Sequence, residues 1–177
     1  MYRKTRTMKL FPFMALTISV AAPGNAVSER QIVANGIPFH MLEEGSGPLV
    51  LLLHGYPEGA KSWDRVQTKI AAAGYWVVAP YLRGYPPTEA SPTGDYRVKT
   101  LGADVLGLIS ALGEEQAIVI GHDWGAFAAL SAVVQSPNAV AKLVMLAVPH
   151  PLGTAGDPSV FLEAPHFLCY QCPFIER

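Results

Sequence analysis

The stretch Gly121-His122-Asp123-Trp124-Gly125-Ala126 constrains this chain more than any other. An apolar run before it, Ala117-Ile118-Val119-Ile120, reads as a short buried strand. After it, Phe127-Ala128-Ala129-Leu130 reads as the start of a helix. Glycines two residues either side of Asp123 leave room for a sharp, strained strand-to-helix turn that lifts the middle side chain clear of the sheet edge. A carboxylate displayed in this way is a candidate nucleophile. It would form an alkyl ester, where a serine in the same place would form an acyl enzyme. The competing reading is a helix N-cap, a common role for aspartate.

The rest of the chain supplies a frame for that turn. Gln31–Ala34 and Pro38–Glu43 alternate in polarity around Asn35-Gly36, which predicts a hairpin. Leu49-Val50-Leu51-Leu52-Leu53 is continuously apolar, as in a strand covered on both faces. A helix is predicted over Ser62–Ala73, a strand over Tyr75–Ala79 and a Gly- and Pro-rich loop from Arg83 to Gly94. A second helix follows over Val98–Leu112, then the strand and helix of the elbow, then a strand over Lys142–Val148. A hairpin followed by alternating strands and helices predicts an α/β fold: a mostly parallel sheet with an N-terminal antiparallel hairpin and helices on both faces. Ligands of such sheets bind beyond the carboxyl ends of the strands, which selects the loops His54–Gly59, Gly121–Gly125 and Pro149–Gly153.

Three motifs in order, His54-Gly55-Tyr56-Pro57-Glu58 with Ser62-Trp63, Arg83-Gly84-Tyr85, and the elbow, together with Val148-Pro149-His150-Pro151, resemble the α/β-hydrolase fold in its epoxide hydrolase branch. The resemblance runs from about residue 31 to 177. It implies that Asp123 opens an epoxide to form an ester, and that the backbone N–H groups of Trp124 and Tyr56 form the oxyanion hole for its hydrolysis. It also implies a tight turn at His54-Gly55 and a Pro57 position that is often cis. The helix that begins at Trp124 would aim its N-terminus at Asp123, a favourable place for a carboxylate. The substrate implied is a small apolar epoxide. Haloalkane dehalogenases share the aspartate and the tryptophan but usually carry asparagine where this chain has Tyr56. Fluoroacetate dehalogenases carry arginine where it has Trp124. A haloalkane dehalogenase-like hydrolase and a non-catalytic relative are the alternatives.

Other polar residues are read more plainly. His122 is expected to be packed or hydrogen-bonded rather than a base. Trp63 and Trp76 are expected to pack in the core or under loops, Asp104 to lie on a solvated helix surface, and Arg83 to anchor its own loop. His150 is the remaining histidine at the active edge and is not read as the base. Cys169 and Cys172 form a C-x-x-C, but redox motifs open a helix early in a βαβ unit, and no further ligands suggest a metal. No cofactor or metal is expected.

At the N-terminus, Arg3, Lys4, Arg6 and Lys9 precede an apolar run from Leu10 to Ala22, and Gly24-Asn25-Ala26 offers small residues for cleavage. This predicts a signal peptide over residues 1–26 and export to the periplasm or beyond. The run is short for a membrane span, which needs roughly 20 residues. Its removal takes four of the 13 basic residues and none of the 14 acidic ones, leaving nine against fourteen and a net charge of −5. With no basic stripe, nucleic acid is not an expected partner.

The domain expectation is then a signal peptide at 1–26, the N-terminal part of an α/β-hydrolase core at 27–164, and the start of a cap at 165–177. The fold is expected to be incomplete. The base histidine, the acid that orients it and the proton-donating tyrosines of a cap are not found, which predicts that the chain alone does not turn over. Asp157 stands where some relatives keep the acid.

Overall fold

A computed structural model describes residues 26–148. The expected signal peptide as far as residue 25, His150, Asp157, the C-x-x-C and the expected cap start lie outside the described residues.

Among the described residues six strands form one sheet: β1 (Ser28–Ala34), β2 (Ile37–Gly45), β3 (Leu49–Leu53), β4 (Trp76–Pro80), β5 (Ala117–His122) and β6 (Val140–Leu146). Their order is β1-β2-β4-β3-β5-β6. β1, β2 and β4 pair antiparallel, while β4, β3, β5 and β6 run parallel. The hairpin turns at Asn35-Gly36, both with positive φ (50° and 76°), as a two-residue turn matched to strand twist demands.

Among the described residues three α-helices cover the sheet: α1 (Asp64–Ala72), α2 (Val98–Ala111) and α3 (Trp124–Gln135). The apolar run of β3 divides between two cores. Leu49, Leu51 and Leu53 pack with Leu101, Val105 and Leu108 of α2 and Ala128, Ala129 and Ala132 of α3. Val50 and Leu52 pack on the other face with Ala71 of α1, Trp63, Val77 and Ala79. Both faces are buried, so no position of β3 is polar.

Several boundaries differ from expectation: β1 begins at Ser28 rather than Gln31, and β2 runs on to Gly45 rather than Glu43. The first helix opens as a 3-10 turn, Ala60–Trp63, before α1 begins at Asp64. β6 begins at Val140, directly after a 3-10 turn that Pro137 starts, and ends at Leu146. Among the described residues β6 pairs only with β5, and its Val144 and Leu146 remain about two-fifths exposed at 41% and 42%.

Candidate active site

The loops after β3, β4 and β5 meet at the carboxyl edge of the parallel strands, with Asp123 at the centre. Asp123 has φ 51° and ψ −117°, a conformation that L-residues seldom adopt. Its side chain makes no capping bond to α3, which removes the N-cap reading. Instead Oδ1 accepts a hydrogen bond from the Tyr56 backbone N–H at 2.9 Å. The strain of the elbow is therefore carried by the residue that presents the carboxylate.

The neighbouring glycines are needed for space. A Cβ on Gly125 would land on the Leu53 carbonyl, one on Gly121 on the Gly125 carbonyl, and one on Gly55 on the Asp123 side chain itself. None of the three is in the left-handed region. The Tyr56–Pro57 peptide is cis. The Glu58 N–H closes the turn onto the Gly55 carbonyl at 3.0 Å.

His54 is fully buried, and both its ring nitrogens are engaged. Nε2 accepts the Leu82 N–H at 3.0 Å, so Nδ1 carries the proton and donates to the Gly55 carbonyl at 3.0 Å. Burial pushes the imidazole below its ordinary pKa, against weaker opposing pulls from the Gly55 carbonyl and Glu58. His54 is thus a neutral structural post. Tyr85 packs edge-on against it, with ring centroids 4.6 Å apart.

His122 lies at the end of β5 with Nδ1 3.9 Å from Glu58 Oε2, an ionic contact when protonated. Trp124 opens α3, is 40% exposed and leans on Phe127 at 5.9 Å. Leu82, Arg83, Tyr85, Tyr96, Leu101 and Trp124 line a mostly apolar cavity of about 170 Å³ at the same edge. Among the described residues no cluster could hold a metal ion, and no helix is long and apolar enough to cross a membrane.

Asp104 corrects the sequence reading. It is not solvated: its side chain and that of Arg83 are each only 6% exposed and form a two-pronged ion pair, Nε to Oδ2 at 2.7 Å and Nη2 to Oδ1 at 2.6 Å. Arg83 reaches Ser91 in its own loop as well, at 3.3 Å, so it ties that loop to α2. The pair holds the Arg83 guanidinium above its ordinary pKa, chiefly through these hydrogen bonds. The signal for burial was present in the sequence. Asp104 shares a face with Leu101, Val105 and Leu108 at helical spacing. Trp63 is buried in the core beside α1 and Trp76 packs partly buried against the opposite core, as expected of both.

Comparison with known proteins matches residues 48–165 to the alpha/beta hydrolase fold family. The chain belongs to that family. Within it the chain is epoxide hydrolase-like. It is 39% identical over 136 residues to an epoxide hydrolase of Caballeronia sordidicola, an alignment covering 76% of this chain and 41% of the relative. It is similar to the crystal structure of an epoxide hydrolase from Vigna radiata, with TM-score 0.71 and 34% identity over 84% of this chain and 48% of that one. Epoxide hydrolase A from Mycobacterium thermoresistibile gives TM-score 0.73 and 35% identity over 84% and 50%. The chain thus spans about half the length of these relatives, or less.

Proposed function

We propose that these residues carry the nucleophile of an epoxide-opening hydrolase. The observation that supports this best is Asp123 itself: strained, uncapping, and held through Oδ1 by the Tyr56 N–H. With Oδ1 so engaged, Oδ2 is the oxygen that attacks a ring carbon. The carbon–oxygen bond of the epoxide breaks as the ester forms, and the opened oxygen takes a proton from solvent water, which leaves as hydroxide. Water then attacks the ester carbonyl. The charge that develops on Oδ1 meets the Tyr56 N–H already in place, and the family resemblance assigns the Trp124 N–H as the second donor, which is where preorganised donors do most for the rate.

The second step needs a base, and none of the described histidines is placed as one. His54 has both nitrogens engaged, His40 is bonded to Gln31 at 2.8 Å, and His122 faces Glu58. The described residues therefore favour ester formation over ester hydrolysis. Tyr56, in place of an asparagine, favours epoxide over haloalkane.

Intact-mass measurement after incubation with styrene oxide tests this. The expected result is one covalent adduct per chain, mapped to Asp123, absent with 1-chlorobutane and absent in Asp123→Asn. Adducts spread over other residues, or unchanged by Asp123→Asn, would overturn the reading.

A further inference from the structure

We propose that Asp104 is a positioning residue for the Asp123 nucleophile, acting through Arg83 and His54 across a continuous set of directional contacts. The proposal rests on the nucleophile reading above. Asp104 is fixed from two sides. The Asn35 amide at the hairpin tip donates to its Oδ1 at 3.1 Å and to the Ala103 carbonyl at 2.8 Å, while Arg83 grips both carboxylate oxygens. That grip sets the segment Leu82–Tyr85, which is closed by the Tyr85 N–H on the Leu82 carbonyl at 2.9 Å. Both ends of this segment touch His54: the Leu82 N–H binds Nε2, and the Tyr85 ring packs on the imidazole. His54 in turn holds the Gly55 carbonyl. The N–H of that same peptide group, on Tyr56, is the one bonded to Asp123.

The chemistry of the pair argues for placement over simple anchoring. Apolar side chains of similar volume hold a loop to a helix at least as firmly as a buried ion pair does. A two-pronged guanidinium–carboxylate contact adds a fixed plane and rotation. Here that rotation determines where Leu82 N–H and the Tyr85 ring point, and so where His54 sits.

The test uses the full chain with Asp104→Asn and Asn35→Gly. The second variant is tolerated by the backbone, since Asn35 already has φ 50°. Two quantities are read well below each variant's melting temperature: the NMR shift of the Tyr56 amide proton, and the rate of Asp123 alkylation by styrene oxide. Asp104→Asn is expected to move the Tyr56 amide upfield and slow alkylation about tenfold or more, since small misplacements near reacting atoms cost that much. Asn35→Gly should move both in the same direction, less far. If the variants melt earlier but keep the wild-type Tyr56 shift and alkylation rate, Asp104 is an anchor only and the proposal is wrong. If the wild-type chain is not alkylated at all, the nucleophile reading fails, and the Tyr56 shift alone decides: moved, it supports the relay; unmoved, it overturns it. Should Asp104→Asn fail to fold, Asn35→Gly carries both measurements.

Discussion

The backbone N–H of Tyr56 donates to Oδ1 of Asp123 at 2.9 Å, although 67 residues separate them. This bond joins the loop after β3 to the elbow after β5. It forms only because Gly55 lacks a side chain that would collide with Asp123.

Stability and chemistry are expected to conflict at Asp123. A non-glycine residue at φ 51° and ψ −117° costs on the order of 1–3 kcal/mol. Asp123→Gly should therefore raise the unfolding free energy by about 1 kcal/mol in a urea titration while abolishing alkylation. A variant less stable than wild type would show that the carboxylate contributes more to folding than its strain costs.

Gly125→Ala should be severe. The added methyl meets the Leu53 carbonyl, and backbone on a central strand cannot give way as a flexible side chain would. A loss of about 3 kcal/mol or more is expected, at the upper end of single-site effects. Thermal melting of the variant checks it, and a shift of only a degree or two would mean that the elbow is looser than drawn.

His54 predicts a one-sided pH dependence. Its folded-state pKa is lowered, mainly by burial, so above about pH 6.5 it is neutral in both folded and unfolded chains and contributes no slope. Below that pH the unfolded chain binds a proton that the folded chain refuses. Stability then falls as pH drops, by up to about 1.4 kcal/mol per pH unit from this group. Denaturation series between pH 8 and 5 should show the decline, and His54→Gln, though less stable throughout, should show a shallower one.

Export is expected to cleave the chain after Ala26. N-terminal sequencing of protein recovered from the periplasm or medium of an expressing bacterium should begin at Val27. Recovery only from the cytoplasm with Met1 intact would refute the export reading.

Much of the architecture was legible because the signals were local. Asn35-Gly36 admits the positive φ of a tight hairpin, and Leu49–Leu53 has no polar position because two cores share it. The elbow was legible because two glycines flank one carboxylate. Arg83 and Asp104 were harder to read, since they lie 21 residues apart and a lone aspartate on a helix usually faces water. Only its place on the Leu101–Val105–Leu108 face signalled burial. The packing of Tyr85 on His54 left no mark in spacing, because it depends on how two loops from different strands come together. The state of His54 was hidden for the same reason: its tautomer is set by the Leu82 N–H, which belongs to the next strand's loop.

The docking of Asn35 on α2 limits how this domain could be shortened or rewired. β1 and β2 stand at the margin of the sheet, and a designer seeking a minimal scaffold would trim them first. Yet the tip of that hairpin braces the carboxylate that holds Arg83. Cutting it away, or opening a new chain terminus at Asn35-Gly36, would release a buried charge pair two loops distant. Permuted or trimmed versions should keep this hairpin closed and place their new ends elsewhere.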